Sequence, residues 1–430
     1  MAETLADLVV HNARIIDSTG GDAFEGSLFV KGDEIAAVER GPLNGNPSAR
    51  ATRDIDARGG TVMPGMCDGH WHPSYYDIID LTKLDLAPIE ESVIHGVKHC
   101  QLMLECGFTM AVCAGAHYRI DAVLRDSINN GEIPGPRVLA AGRDICPTAG
   151  LTDWNPDFWK LGLDGLTMVC DGEEEIRKAV RKNIKQGADV IKLFVSGEGA
   201  IASCNQYACT VTKRELEVFA EEVHRRDKFA STHVRDRHGA RMCAEVGVDI
   251  INHATFADDE TLAIIRDKNL FIVPALGYIF GVFENGDKFG LDDEFRRNTD
   301  AAADRDHGCE VIRKAHQMGI RVVTGGDYGF AWVPHGSYAW DLELFVKHMG
   351  FSEMEAIVAA TKHGAELLRM GGRVGTLEPG KLADFLVVDG DPLADISILR
   401  DRSRLRHVFK DGKAVAERGR PACHCEKVPA

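Results

Sequence analysis

The sequence has no uninterrupted apolar run approaching the roughly 18 residues that span a bilayer, so no transmembrane helix is expected. Positive charge is in deficit: 50 Lys and Arg stand against 66 Asp and Glu, a formal net charge of −16. An acidic surface is repelled by phosphate backbones and anionic lipid, so neither nucleic acid nor membrane is an expected partner. The opening Met1-Ala2-Glu3-Thr4-Leu5-Ala6-Asp7 lacks the basic, apolar and small-residue order of a signal peptide, which predicts a cytoplasmic protein. Internal repeats and low-complexity segments are missing too. What remains, 44% hydrophobic and 27% charged residues, is an ordinary globular composition. Cysteine is not scarce, but the 12 thiols are scattered rather than gathered in a short loop-rich frame, and free thiols are expected over disulfides. Cys423-His424-Cys425 offers only three donors in a polar tail after Pro421 and reads as a loose terminus.

At 430 residues the chain exceeds one small core but accommodates a barrel of about 250–350 residues with a minor domain. Short β-rich blocks stand at both ends, around residues 8–16, 27–33, 383–390 and 405–412. Neither end can bury a core alone, so the two are expected to pack as one small β-sandwich, residues 1–60 with 375–430. The middle, 61–374, offers eight strand candidates: Thr61–Asp68, Thr109–Ala114, Arg137–Ala141, Ala188–Val195, Phe229–His233, Val248–His253, Leu270–Pro274 and Ile320–Asp327. Most are near-continuous apolar runs, as parallel strands covered by helices require. Helical stripes lie between them, Ile176, Ala179, Val180 and Ile184 in one case, Leu216, Phe219, Ala220 and Val223 in another. The expected architecture is an α/β chain, a (β/α)8 barrel with its site at the carboxyl ends of the strands. Two long connections, 142–171 with Trp154 and Trp159 and 276–298 with Tyr278, Phe280 and Phe283, are expected to wall that site.

His70-Trp71-His72 closes the first candidate strand. Residues two apart in a strand point to one side, so the two imidazoles converge, an arrangement suited to a divalent transition metal. Alone, such a pair is also compatible with a surface loop. Lys192 lies inside the fourth run, where an ammonium is costly to bury, and His233, His253 and Asp327 end the fifth, sixth and eighth. Taken singly, each has an ordinary structural reading; together they place six ligand-type residues at one end of the strands.

This pattern resembles the amidohydrolase superfamily in its binuclear-metal form, and the likeness extends over nearly the whole chain. It includes Gly375-Thr376-Leu377-Glu378-Pro379-Gly380-Lys381-Leu382-Ala383-Asp384, similar to that superfamily's return into the small β-domain. The branch it resembles most is the imidazolonepropionase-like and Xaa-Pro dipeptidase-like one. The resemblance implies that His70, His72 and Asp327 bind the more buried metal and His233 and His253 the more exposed one. It implies a Lys192 carbamate, made with CO2, bridging both. Two divalent ions are expected, zinc first, with manganese, cobalt or iron as substitutes. They would generate a bridging hydroxide near neutral pH, with Asp327 shuttling its proton to the leaving amine.

For the substrate, His335 in Pro334-His335-Gly336 resembles a residue that orients the substrate in the dipeptidase-like branch; a turn role is the other reading. Arg235 and His238 could meet a carboxylate at the mouth or form a solvated face, and Tyr207 and His117 are weaker substrate candidates. Many relatives carry Gly-Gly-His-Gly-Asp after the third strand, where this chain has Leu151 at the matching point. That departure, with Trp154, Trp159 and Trp332 nearby, favours a bulky or aromatic group over a simple dipeptide. The expected activity is hydrolysis of a C–N bond in a small molecule: an N-acyl amino acid, dipeptide, cyclic amide or aromatic amide. Lactone or ester hydrolysis, decarboxylation, and a non-catalytic scaffold are the alternatives. A homo-oligomer is expected.

Overall fold

The computed structural model describes residues 5–156, 165–201 and 203–421. Trp159 and the Cys423-His424-Cys425 tract lie outside the described residues.

Eight short strands form a parallel run of the TIM-barrel type. Met66–Trp71 pairs with Phe108–Cys113, which pairs with Arg137–Leu139. The Ala140 carbonyl then accepts the Val190 amide at 3.0 Å, leading into Val190–Phe194. Phe229–Val234, Ile250–His253, Phe271–Val273 and Arg321–Val322 follow in chain order, each parallel to the last. Just past the eighth strand, the Thr324 carbonyl accepts the Gly69 amide of the first at 2.7 Å. Most strand residues are buried on both faces, because helices cover the outside and side chains fill the inside.

The covering helices are locally specified. Gly172–Lys185 has Glu173, Glu174 and Glu175 in its first turn and Lys182 and Lys185 in its last, in step with the helix dipole. Lys213–His224 starts at a Thr212–Glu215 capping box and buries the expected Leu216, Phe219, Ala220 and Val223. Its neighbour Arg237–Val246 stops at Gly247, whose φ of 88° suits only a residue without a Cβ.

Three expectations change. The run Thr61–Asp68 is two strands, not one: Thr61–Pro64 belongs to the terminal sheet, and the inner strand begins at Met66. The connection 142–171 contributes two more parallel strands, Asp144–Cys146 and Thr167–Val169. The segment 276–298 is largely helical, with Gly277–Glu284 and Asp293–Asn298.

Both ends of the chain build one hydrogen-bonded, nine-stranded sheet. Its long strand Ala6–Ile15 pairs along one edge first with Ala51–Asp56 and then with Thr61–Pro64. The switch falls at a bulge around Asn12, at φ 50°, which lets one strand pair with two successive neighbours. Phe385–Val388 from the carboxyl-terminal side completes the sheet against Thr61–Pro64. The ten described cysteines are free thiols, nine of them buried. No helix among the described residues is long and apolar enough to cross a membrane.

Candidate metal centre and its cavity

At the carboxyl ends of the strands, four imidazoles follow one another in space. Ring centres are 5.1 Å apart for His72 and His70, 5.4 Å for His70 and His253, and 4.3 Å for His253 and His233. Asp327 joins them, its Oδ1 lying 3.3 Å from His72 Nε2 and 3.7 Å from His70 Nε2. His253 and Asp327 both adopt left-handed backbone, at φ 68° and 62°. Each such conformation costs about 1–3 kcal/mol in a non-glycine residue and persists where packing enforces it. Gly325 is required beside them: a Cβ there would come within 2.6 Å of the His70 amide nitrogen.

The ring orientations have an identifiable cause. His70 Nδ1 meets Asn252 Oδ1 at 2.8 Å, and Asn252 is itself held by donating to Ser231 Oγ and the Thr232 carbonyl. His72 Nδ1 donates to the Gly115 carbonyl at 2.9 Å. Both contacts place the proton on Nδ1 and turn the Nε2 lone pair toward Asp327. Asn252 is a supporting residue that sequence reasoning missed; a polar side chain in the apolar run before His253 is its only signal.

The donors fit cations. His70 Nε2 and both ring nitrogens of His253 are buried with no hydrogen-bond partner, although such atoms are costly to leave unmet. Burial holds the imidazoles of His70, His233 and His253 well below their usual pKa, which keeps them neutral and able to ligate. The donor atoms of His70, His253 and Asp327 all lie within 4.8 Å of one another, as do those of Glu198, His233 and His253. Lys192 sits among them, buried, its pKa lowered by burial against the pull of Asp144 and Asp327.

Above this floor opens a cavity of about 300 Å³. His72, Lys192, Glu198, His233 and Asp327 form its base, and Tyr75, Leu151, Trp154, Tyr278, Phe330 and Trp332 much of its wall. A larger concavity of about 430 Å³ lies among the terminal-sheet turns near Asn12, Phe24 and Gly41, without convergent metal donors.

The structure brings all six strand-end residues together, with Leu151 and Trp154 above them. The other expected substrate residues it places elsewhere. His335 is buried behind the wall, with Nδ1 2.9 Å from Tyr338 Oη and Nε2 3.1 Å from the Tyr75 carbonyl. It thus backs Tyr75, whose ring stacks on His72 at 4.2 Å, and does not line the cavity. Arg235 is fully buried rather than at the mouth, donating through Nε to Glu198 Oε1 at 2.8 Å and through Nη1 to Thr255 at 3.2 Å. Tyr207 and His238 line a separate surface groove with Asp236 and Phe256. His117 is buried, its amide tied to Ser74 Oγ, and lies outside the cavity lining.

Glu198, unnoticed between two glycines of the sequence, is a cavity residue, with Oε1 3.6 Å from His233 Nε2. Burial pushes its carboxyl up to about 7 against the opposing pull of Arg235.

Comparison with known proteins agrees with this geometry. The model of the Amidohydrolase family matches residues 61–415. Ochratoxinase of Aspergillus niger is 28% identical over 376 residues, covering 82% of this chain and 75% of its own. Imidazolonepropionase of Syntrophobacter fumaroxidans is 25% identical over 430 residues, covering 91% and 90%. Among solved structures, a Xaa-Pro dipeptidase with methionine bound in its active site superposes with a TM-score of 0.83 at 28% identity, covering 95% of this chain and 99% of that one. With its strand order, convergent donors and these likenesses, the chain belongs to the Amidohydrolase family and is a hydrolase acting on carbon–nitrogen bonds.

Proposed function

We infer that the protein hydrolyses an amide or related C–N bond of a small molecule carrying a bulky or aromatic group, using two divalent cations, zinc foremost. The reading takes the eight parallel strands as a closed (β/α)8 barrel running from Met66 to residue 374, set on a small domain made by the two terminal segments and the strand Thr61–Pro64. The observation that carries it is the set of partnerless buried nitrogens on His70 and His253, facing Asp327 beneath an aromatic-walled cavity.

In this reading His70, His72 and Asp327 would hold one cation and His233 and His253 the other, with Lys192, as a carbamate, supplying oxygen donors to them. Burial favours the neutral amine that reacts with CO2, since an ammonium among these groups would be poorly solvated. When bound there, divalent cations would supply Lewis acidity toward a substrate carbonyl and toward water. Asp327 takes the proton released by the attacking water and returns it to the leaving nitrogen. Asn252 and the Gly115 carbonyl keep the first two imidazoles in the ligating tautomer. The aromatic wall excludes water and receives the apolar part of the substrate.

The test combines metal analysis with turnover. Purified protein should contain more than one equivalent of divalent metal and cleave members of an aryl-amide panel. Lys192→Ala should lose most of that metal and recover part of its activity with short carboxylic acids. Metal content unchanged by the substitution would refute the bridge. Turnover confined to lactones would refute the amide reading.

A further inference from the structure

Beside the floor of the main cavity lies a second, far smaller one of about 20 Å³, room for a single group the size of a water molecule. The two share Glu198, Ala200, Tyr278 and Phe295 as walls, so the small one adjoins the large. Gly199 lets this corner form: a Cβ there would come within 2.3 Å of the Thr299 carbonyl that closes the far side.

The chemistry of the small cavity is one-sided. Among the described residues, its lining carries two carboxylates, Glu198 and Asp304, and no base. Glu198 is partly satisfied by Arg235. Asp304 is only 3% exposed, and its Oδ1 is buried without a hydrogen-bond partner. Arg235 acts electrostatically on both acids, but it donates to Glu198 and Thr255, so the Asp304 carboxyl, its pKa raised by burial, keeps an oxygen that no donor meets. Nearby Asp300 adds negative charge, although its carboxylate accepts the Tyr207 hydroxyl. A buried carboxylate oxygen left unmet is unfavourable, and the natural partner is a compact cation with N–H donors. An anion is repelled here, and a quaternary ammonium is too large. The aromatic surface of Tyr278 and Phe295 is compatible with a cation.

Building on the hydrolase reading of the main cavity, we propose that the small cavity is a subsite for a primary ammonium group of the substrate, seated between Glu198 and Asp304. Glu198 faces both spaces and lies 3.6 Å from His233, so the ammonium would sit close to the bond being cleaved. The favoured substrates are then amine-bearing amides with an apolar or aromatic portion.

The test is calorimetric binding of phenethylamine and its neutral isostere phenethyl alcohol to the metal-loaded full chain. The amine should bind at least about tenfold more tightly, the scale of one charge-assisted contact. In Asp304→Asn and in Glu198→Gln the two probes should come within about twofold, with melting temperature kept in both and metal content kept in Asp304→Asn, which lies outside the donor cluster. Equal binding of both probes by the unsubstituted protein would overturn the proposal. So would an amine preference that survives both substitutions, since it would then arise from the metals or the overall acidic charge. If Asp304→Asn does not fold, Glu198→Gln carries the comparison, read at metal occupancy matched to the unsubstituted protein. Binding needs no turnover, so failure of the amide panel would count against the hydrolase reading alone.

Discussion

The floor and the mouth of the main cavity are built differently. On the floor, His70, His72, Lys192, His233 and His253 are at most 3% exposed and sit in or at the ends of parallel strands. At the mouth, Ile79 is 54% exposed on a connection, and Trp154 is anchored by a contact of Nε1 with Asp85 at 2.8 Å. Strand hydrogen bonds place the floor residues, so one displaced donor disturbs all its neighbours. The mouth is held by a few local contacts and can change with little effect on the floor. This is the division expected where scaffold residues carry chemistry and loops carry selectivity.

Substitutions graded from floor to mouth test that division. The largest effect is expected for Asp327→Asn, which should keep the fold by circular dichroism yet lower kcat by about a thousandfold or more. Wild-type-like turnover would remove Asp327 from the chemistry. Next comes Asn252→Ala, which touches no substrate but frees the His70 tautomer. It should weaken metal affinity or activity about 10–100-fold, measured by metal-buffer titration. No change in affinity would mean that the strand alone orients His70. Trp154→Ala should raise KM by about tenfold for aromatic substrates, with kcat and metal content within about twofold; a loss of bound metal instead would join mouth to floor. The smallest effect is expected for His238→Ala, in the separate groove, with kcat/KM within about twofold. A large loss there would show that the groove communicates with the site.

The floor was legible in the sequence because each histidine and Asp327 ends or follows an apolar run and Lys192 interrupts one, and period-two geometry fixes on which side a strand residue lies. The mouth was less so. Gly277–Glu284 looks like loop because its apolar residues surround the helix instead of forming one stripe, which erases the periodic signal. Thr61–Asp68 reads as one strand since an apolar run does not reveal that its halves join different sheets. Arg235 looks like a surface charge until Glu198, distant along the chain, is seen to pair with it. His335 likewise gives no sequence sign that it faces Tyr75 and Tyr338 rather than substrate.

The alternation of strands and helices, the six ligand-type residues and the end of the strands at which they gather were already written in the sequence. These depend on local periodicity and residue type, which a linear chain records. Only the tertiary structure decided that Asn252 orients His70, that Glu198 and Asp304 flank a space of their own, and that His335 supports the wall. Those outcomes depend on which distant side chains become neighbours, and burial makes their unmet charges and hydrogen bonds count.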